Sequence, residues 1–437
     1  MSNDLRVLIL ADDCNPDWPS VPVFGYKLAC AIAERAEVTV ATHVRNRPSV
    51  DRDGMGPARV VYLDNEYIAA PLFKLGKFIR GGHEVGWTTH VAMRYPANLA
   101  FEREAWKRFR NELRDRRFDV VHRITPLSPT LPSPMASWSP VPFVLGPLNG
   151  GLAWPAGFEG ERTREKEWLV KVRDAYRMLP YYRSTYRNSS AILAGSQHTI
   201  NDLPKQVRHS ERVFDFPEIG IDPALFHARR EQTLSAPLNF LFVGRLVPYK
   251  QPRVVVEAFA TSEKLRQHRC VIVGEGPERP AIEQLIRDAN LGDCVKMVGW
   301  KSLSEVGQLM READVFAFPS IRELGAGVVG EAMASGLCCV VVNYGGPGNL
   351  VGNDRGVRIP LSPPAEMTTV FKAALEQLAD NPAIIRQLGE NARTWAMQTL
   401  PWEERARRII EVYRWVTNRR TDRPELNSET NDASSIA

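Results

Sequence analysis

The sequence has few of the residues that build disulfide scaffolds, metal centres or membrane spans. Its 437 residues include six cysteines, and no two of them have a Cys-x-x-Cys or other metal-ligand spacing. Cys338 and Cys339 fall in an apolar run, where small buried hydrophobic residues are expected. No 18 consecutive residues are apolar, and Asn3, Asp4 and Arg6 interrupt any apolar stretch at the start, so we expect neither a transmembrane helix nor a signal peptide. These absences favour a reducing, cytoplasmic setting and no metal site.

A strong excess of charge is also missing. The net charge of +5 is too small to imply a nucleic-acid partner, and we expect none. The charge is uneven, because residues 101–190 hold 16 lysines and arginines against 10 aspartates and glutamates, a net of +6. Two predicted helical regions, 101–117 and 161–188, mix arginines with aromatic residues. They suit contact with anionic lipid headgroups or a lipid-diphosphate acceptor, although an ordinary solvated basic helix has the same composition.

The sequence does contain the pattern of a parallel, doubly wound α/β fold. Residues 6–11 form an apolar strand, 24–35 a helix and 37–42 a second strand, and this succession opens such a sheet. With 44% hydrophobic residues, the chain is long enough for two domains of this kind. Further apolar strands are predicted at residues 118–122, 142–146, 191–196, 239–243, 314–318 and 337–342.

Composition also predicts the domain boundaries. The first domain spans residues 1–226, and the polar stretch 227–237 is the predicted linker. The second domain spans residues 238–400, and a final helix follows over residues 401–420. Residues 421–437 lack apolar periodicity, which predicts a disordered tail.

The run 318–350 carries most of the chemistry. An apolar strand leads into a polar bend with Glu323, three small residues at 325–327, and a helix that contains Glu331. Small residues at a strand-to-helix turn let the backbone approach a ligand closely. The first amides of the helix then face that ligand with the positive end of the helix dipole. The run therefore predicts an anion site.

Glu323 and Glu331 are eight residues apart, which corresponds to about 12 Å along a helix. That distance does not suit a paired acid and base, but it suits two groups that hold opposite ends of one elongated ligand. The alternative is a solvated glutamate in a loop and a surface or capping glutamate on a helix. Spacing alone does not separate the two readings.

Arg245 and Lys250 follow the predicted strand 239–243 and Gly244. Cleavage of a sugar from a nucleotide leaves a diphosphate, and the forked donors of arginine and the point charge of lysine can neutralise it. An isolated Arg-x4-Lys pair carries no signal. After a strand and a glycine, and upstream of Glu323, it predicts a phosphate site.

Two glycine turns are harder to interpret. Residues 274–279 (GEGPER) look like part of a dinucleotide fingerprint, but Arg279 stands where the third glycine is needed, so we predict a tight turn of the nucleotide-binding sheet. Residues 146–151 (GPLNGG) either approach another group closely or form a plain tight turn with positive φ.

The Glu323-x7-Glu331 pattern, the following Ala-Met-Ala-Ser-Gly and the Gly-Gly turn resemble the donor-site signature of family 4 glycosyltransferases. The resemblance is close over residues 239–360, which include FLFVGRLVPYKQ, VIVGEGPE and ADVFAFPS, and loose in the N-terminal half. It implies the GT-B fold, in which two doubly wound Rossmann-like domains face a cleft and a C-terminal helix crosses back to the first domain. It also implies a retaining, metal-independent, hexosyltransferase-type reaction that uses a nucleotide-diphosphate sugar as co-substrate and no other cofactor.

The resemblance assigns roles to individual residues. Glu323 would touch the transferred sugar, Arg245 and Lys250 would neutralise the diphosphate, and Glu331 would accept hydrogen bonds from the ribose. Many relatives have a histidine beside the transferred sugar, and His122 is the candidate here, although a lone histidine at a strand end can also be structural. The set implied to bind the donor is Gly244, Arg245, Lys250, Gly325, Ala326, Gly327, Val328 and Glu331.

The implied partners are a nucleotide-sugar donor and a sugar or lipid-linked acceptor, with peripheral contact to an anionic membrane on its inner face. The implied setting is the assembly of a surface polysaccharide or glycolipid. Leu324-Gly325-Ala326 in place of the usual Phe-Gly, and Asn349 in place of a usual glutamate, leave the donor sugar open. A sugar-binding or catalytically silent GT-B protein, and a GT-B phosphorylase or epimerase, remain alternatives. A nicotinamide-dependent oxidoreductase would explain only the GEGPER turn.

Overall fold

The computed structural model describes residues 5–71, 87–164, 176–228 and 237–426, without the side chains of residues 87–93. The chain forms two compact units. Unit 1 comprises Met1–Gly151, Lys166–Glu218 and Trp402–Ala437, and unit 2 comprises Leu152–Glu165 and Ile219–Pro401.

Each unit contains one sheet, and the strand pairings within both sheets are parallel. The strands of unit 1 are β1 (Arg6–Ala11), β2 (Glu37–His43), β3 (Arg59–Leu63), β4 (Val120–Thr125), β5 (Phe143–Leu148), β6 (Ala191–Ala194) and β7 (Val213–Asp215), in the order β3-β2-β1-β4-β5-β6-β7. The strands of unit 2 are β8 (Asn239–Val243), β9 (Arg269–Val273), β10 (Val295–Gly299), β11 (Val315–Phe318), β12 (Cys338–Val342) and β13 (Val357–Ile359), in the order β10-β9-β8-β11-β12-β13.

Helices connect the strands. In chain order they are α1 (Val21–Ala33), α2 (Arg47–Asp53), α3 (Trp87–Arg114), α4 (Met135–Trp138), α5 (Glu159–Arg164), α6 (Tyr182–Asn188), α7 (Gln197–Asp202), α8 (Pro252–Ala260), α9 (Arg279–Asp288), α10 (Leu303–Glu312), α11 (Gly327–Ala334), α12 (Gly345–Leu350), α13 (Pro364–Asp380), α14 (Pro382–Thr399) and α15 (Trp402–Val416). This alternation of strand and helix confirms the predicted class, two doubly wound Rossmann-like α/β units.

At least two strands in each sheet are buried along their whole length. Every residue of β4, β5, β11 and β12 is buried, which explains their continuous apolar sequence, since a parallel sheet is covered on both faces. Cys338 and Cys339 lie in β12 with no exposed surface, as predicted. Burial raises the pKa of the Cys338 thiol to about 12. All six cysteines lie in the described residues, and all are free thiols.

The C-terminal helix α15 belongs to unit 1, although it follows unit 2 in sequence. It packs against α1, and Ile409 and Tyr413 share a buried apolar cluster with Leu28 and Ile32 of that helix. The predicted return of the C-terminal helix to the first domain is therefore confirmed. The helix ends at Val416, four residues before the predicted end.

Two predictions of local order need correction. Residues 161–188 do not form one helical region throughout, because α6 begins only at Tyr182, after Tyr181 takes a left-handed conformation with φ of 67°. Residues 421–426, the start of the predicted disordered tail, pack on unit 1: Arg423 donates to the carbonyl of Val213 at 2.9 Å, and Arg408 donates to the carbonyl of Leu426. Residues 165–175, most of the predicted linker (229–236) and the rest of the tail (427–437) lie outside the described residues.

The division into units also differs from the predicted boundary at residue 226. Ile219 and Ile221 are buried in the apolar core of unit 2, so this unit begins earlier. Unit 2 also includes Leu152–Glu165, which sequence reasoning assigned to the first domain. In the described part of the chain, no helix has the length and apolar character needed to cross a membrane.

Candidate donor site in unit 2

The carboxyl edge of the unit 2 sheet brings together residues that are far apart in sequence. β8 lies between β9 and β11, so the strand order reverses between β8 and β11. Ligands of doubly wound sheets bind at such a switch point, outside the carboxyl ends of the strands. Residues 244–251 follow β8 and carry Arg245 and Lys250, while residues 319–326 follow β11 and carry Glu323. The predicted donor residues thus lie at the position where a ligand is expected.

Lys250 and Glu323 form an ion pair across the switch point. Their side chains are only 12% and 16% exposed, so water screens the pair less than it would on an open surface. The Lys250 ammonium also lies 5.0 Å from the ring centroid of Phe318, at the end of β11. The backbone amide of Ile321 donates to the carbonyl of Tyr249 at 2.9 Å, which joins the two loops directly. The Lys250–Glu323 ion pair and the Ile321–Tyr249 backbone hydrogen bond therefore hold the two loops together.

Two glycines make this arrangement of loops possible. A Cβ atom at Gly244 would lie 3.1 Å from Cδ of Lys250, so the glycine leaves room for the lysine side chain. Gly274 has a φ of 135°, and a Cβ atom there would lie 1.9 Å from the carbonyl oxygen of Gly244. The GEGPER turn thus packs directly on the loop after β8, which confirms that it is a tight turn of this sheet. No larger residue fits at Gly274.

The second glycine turn holds the loop of Glu323. Gly345 has a φ of 63°, and a Cβ atom there would lie 2.3 Å from the carbonyl oxygen of Glu323. The amide of Gly346 donates to that same oxygen at 2.8 Å. Close packing by Gly345 and a hydrogen bond from Gly346 therefore fix the position of the Glu323 carbonyl. Sequence reasoning noted the turn but did not predict this contact.

Helix α11 begins immediately after the Glu323 loop. Ala326 precedes it in a left-handed conformation, with φ of 54° and ψ of 48°, and the first amides of a helix have no partner within that helix. Gly325, Gly327 and Val328 surround this start and are partly exposed, and Glu331 lies in the second turn, also partly exposed. Because Glu323 precedes the helix, the 12 Å spacing of a continuous helix does not apply to the two glutamates.

Arg245 lies in the loop that follows β8, and it is exposed. Its Nη2 donates to the hydroxyl of Tyr249 at 2.8 Å. Tyr249 is also the residue whose carbonyl accepts from Ile321 and from the hydroxyl of Ser320, at 3.2 Å. Arg245 is thus tied to the Lys250–Glu323 pair through a shared neighbour.

His122 lies in unit 1 and is fully buried. Its Nε2 donates to the carbonyl of Gly146 at 2.6 Å, and its Nδ1 accepts from the hydroxyl of Tyr413 at 2.6 Å. Burial lowers the pKa of its imidazole to about 4. Since both ring nitrogens are used within the core, the geometry supports the structural alternative for His122. The glycine turn at Gly146 is likewise structural, because a Cβ atom there would lie 2.3 Å from the carbonyl of Leu193.

Unit 1 has its own group of charges at the switch point between β1 and β4, which the sequence analysis missed. Asp12 and Asp13 follow β1, and Arg94 of α3 lies 2.5 Å from Asp13 and 3.6 Å from Asp12. Burial and the neighbouring Asp13 raise the pKa of the Asp12 carboxyl to about 7. The available signal was two adjacent carboxylates directly after the first strand.

The described residues contain no group of three or more histidine, cysteine, aspartate or glutamate side chains placed to hold a metal ion. Lys250 and Arg245, the two cations of the loop after β8, suit a phosphate group.

Known proteins resemble the chain in sequence. The model of the family Glycosyl transferases group 1 matches residues 227–395. The amylovoran biosynthesis glycosyltransferase AmsK of Erwinia amylovora is 33% identical over 142 residues, which are 30% of this chain and 34% of that protein. The MMP alpha-(1->4)-mannosyltransferase of Mycolicibacterium hassiacum is 27% identical over 259 residues, 58% of this chain and 62% of that protein. The chain therefore matches 34% to 62% of the length of these relatives.

Solved structures resemble it over nearly its whole length. Sucrose-phosphate synthase from Thermosynechococcus elongatus has a TM-score of 0.64 at 17% identity and covers 95% of this chain and 100% of its own. Anabaena Alr3699/HepE in complex with UDP-glucose has a TM-score of 0.57 at 16% identity and covers 93% of this chain and 99% of its own. At such identities the likeness concerns the fold alone. Residues 227–395 thus match the model of the glycosyl transferases group 1 family, and the chain has the GT-B fold.

Proposed function

We propose that this protein is a retaining glycosyltransferase. It transfers a hexose from a nucleotide-diphosphate sugar to a hydroxyl group of a sugar or lipid-linked acceptor, without a metal ion. The observation that carries the proposal is the Lys250–Glu323 ion pair at the switch point of unit 2, beside the start of α11. A cation for the leaving diphosphate and a carboxylate for the sugar are in contact there.

The donor residues have separate tasks in this proposal. Lys250 and Arg245 neutralise the diphosphate, together with the first amides of α11. Glu331, one turn further along the helix, accepts hydrogen bonds from the ribose hydroxyls. Glu323 contacts the transferred sugar, and its ion pair with Lys250 orients the carboxylate for hydrogen bonds from sugar hydroxyls.

The proposed reaction is a substitution on one face of the sugar. The bond between the anomeric carbon and the diphosphate oxygen breaks while the acceptor oxygen bonds to the same carbon from the same side. The departing diphosphate takes the proton of the acceptor hydroxyl, so no protein base is needed. Lys250 and Arg245 stabilise the charge that develops on the diphosphate, which is where preorganised cations lower a barrier most.

The relatives support the choice of substrates. The Anabaena protein that shares the fold was solved with UDP-glucose, and the mycobacterial relative is named a mannosyltransferase. For the acceptor, we assign unit 1, where Asp12, Asp13 and Arg94 offer hydrogen-bonding groups to sugar hydroxyls. We place the reaction in the assembly of a surface polysaccharide or glycolipid, with the protein peripheral to the inner face of a membrane.

The first experiment identifies the nucleotide. Thermal unfolding is followed with UDP, GDP and ADP, since a ligand that binds only the native state raises its stability. The matching nucleotide sugar is then incubated with candidate acceptors and a chelator, and proton NMR reads the anomeric configuration of the fresh product. An α-linked product from an α-linked donor is expected. A β-linked product, or loss of activity with the chelator, contradicts the proposal.

A further inference from the structure

Residues 152–164 belong to unit 2, although most of that unit follows them in sequence, and they run along the loops of the candidate donor site. We call this segment the strap. Its first residue, Leu152, lies beside the Glu323 loop, because a Cβ atom at Gly345 would lie 3.0 Å from Leu152 and 2.3 Å from the Glu323 carbonyl. The hydroxyl of Tyr344 donates to the carbonyl of Ala153 at 3.0 Å. Leu152 and Ala153 thus contact Gly345 and Tyr344, which belong to the turn that packs on the backbone of Glu323.

Trp154 contacts Arg322, the residue before Glu323. The guanidinium carbon of Arg322 lies 4.9 Å from the centroid of the Trp154 ring, a cation–π arrangement. Trp154 is partly buried and also packs against the apolar core of unit 2. Arg322, a residue of the loop that carries Glu323, therefore contacts the strap.

The far end of the strap contacts the other two loops of the site. Phe158 is buried in the unit 2 core, and α5 packs against the turn Pro248–Lys250. Arg164 forms an ion pair with Glu278, whose amide donates to the carbonyl of Leu246 at 3.0 Å. The strap therefore touches all three loops on which the donor site is built: those of Glu323, of Lys250 and of the GEGPER turn.

We propose that the strap is part of the donor site and that Trp154 is a positioning residue for sugar transfer. By stacking on Arg322, it fixes the loop that places Glu323 against Lys250. This inference rests on the proposed function for its activity readout. Small misplacements of a group that contacts the reacting atoms can lower a rate a hundredfold, so loosening this loop acts on turnover more than on donor binding.

The test compares Trp154→Ala with a matched control in the same unit. The guanidinium carbon of Arg355 lies 4.6 Å from the ring centroid of Trp395 on α14, which is a cation–π pair of the same kind. We expect Trp154→Ala to lower kcat about tenfold to a hundredfold while the KM for the donor stays within about twofold. Trp154→Phe, which keeps an aromatic face, should recover most of the loss. Trp395→Ala should leave both constants unchanged.

A double-mutant cycle isolates the stacking contact. Arg322→Ala should lower kcat as Trp154→Ala does, and the double variant should be no worse than either single one, since the two act through one contact. Additive losses would overturn the proposal. An equal loss of kcat in Trp395→Ala would also overturn it, because the effect would then reflect general loosening of unit 2.

Hydrogen exchange gives a readout that does not depend on activity. Amides of residues 321–327 should exchange faster in Trp154→Ala than in the wild type, and Trp395→Ala should leave them unchanged. If the wild type transfers no sugar from any nucleotide sugar, the proposed function fails, and the exchange rates still decide whether the strap fixes this loop. Unchanged exchange in Trp154→Ala overturns the inference even if the protein is a glycosyltransferase.

Discussion

Lys250 and Glu323 are separated by 73 residues in sequence, yet each restrains the other at the switch point of unit 2. The pair is partly buried, so removing one partner leaves the other without its counter-charge in a poorly solvated position. A single substitution at either residue therefore changes both the charge available to a diphosphate and the position of the remaining side chain.

We predict that Lys250→Ala lowers kcat/KM about a hundredfold, the loss observed when one preorganised group that stabilises developing charge is removed. Steady-state kinetics with the identified donor measure the effect. Lys264→Ala is the control, because Lys264 is an exposed lysine of unit 2 that pairs with Asp380, and it should retain full activity. Wild-type kcat/KM in Lys250→Ala would remove Lys250 from the site.

We predict that the buried His122 makes the free energy of unfolding depend on pH. Its pKa is about 4 in the folded chain and about 6.5 in an unfolded chain, so the unfolded state takes up a proton first as the pH falls. Stability contributed by His122 is complete above pH 6.5 and is lost between pH 6.5 and 4. From pH 7 to pH 5 the loss is about 2 kcal/mol.

Urea unfolding of the wild type and His122→Asn at pH 7 and pH 5 measures this contribution. The variant should be less stable at pH 7 but should lose less on acidification. Asp12, with its pKa raised to about 7, and Asp215, with its pKa raised to about 6 by burial, change stability in the opposite direction. Both aspartates are present in the wild type and in His122→Asn, so their contributions to the change in stability cancel when the two proteins are compared. Equal losses in both proteins would show that His122 titrates normally.

At the scale of elements, local patterns predicted most of the strands, because nearby residues set those patterns. β1 and β8 begin and end at the predicted residues, and β2 is one residue longer than predicted. The GEGPER turn was also predicted, but the contact of Gly274 with Gly244 was not. That contact depends on the pairing of β8 with β9, which no short stretch of sequence encodes.

The strap shows where sequence reasoning stops. Trp154 stacks on Arg322, and the carbonyl of Ala153 accepts from Tyr344, which is 191 residues away. The segment is short and has no apolar periodicity, so its assignment to unit 2 comes only from such long-range contacts. The same holds for Lys250 and Glu323: each was predicted as a site residue, but their direct ion pair follows from the strand order.

The C-terminal helix α15 gives a prediction for an element. Ile409 is fully buried and lies in the apolar cluster of unit 1 with Leu28 of α1. Ile409→Ala should lower the free energy of unfolding by about 2 to 5 kcal/mol, the range for truncating a buried isoleucine. Thermal unfolding measures the loss. Arg407→Ala on the same helix removes only an exposed ion pair with Glu404 and should change stability by less than about 1 kcal/mol. Similar melting temperatures for the two variants would contradict the assigned packing.

At the scale of the whole molecule, the uneven charge of the chain is accompanied by exposed apolar side chains in unit 1. Met178 is 87% exposed and Tyr181 is 38% exposed. Arg183 and Arg187 of the adjacent helix α6 are exposed as well. A surface that combines arginines with exposed apolar groups suits an anionic bilayer, where the cations contact headgroups and the apolar side chains enter the interface.

We predict that the protein sediments with anionic vesicles and not with neutral ones, and that salt reverses the binding. Raising the ionic strength from about 0.1 M to about 1 M shortens the screening length from about 10 Å to about 3 Å, which weakens exposed charge contacts. The double variant Arg183→Glu/Arg187→Glu should lose most of the bound fraction, since each arginine near the surface contributes about 1 kcal/mol. Arg253→Glu, at an exposed arginine of unit 2, should bind as the wild type does. Equal sedimentation with neutral and anionic vesicles, or equal binding by both variants, would show that these arginines are ordinary solvated charges and that the protein does not dock on a membrane through α6.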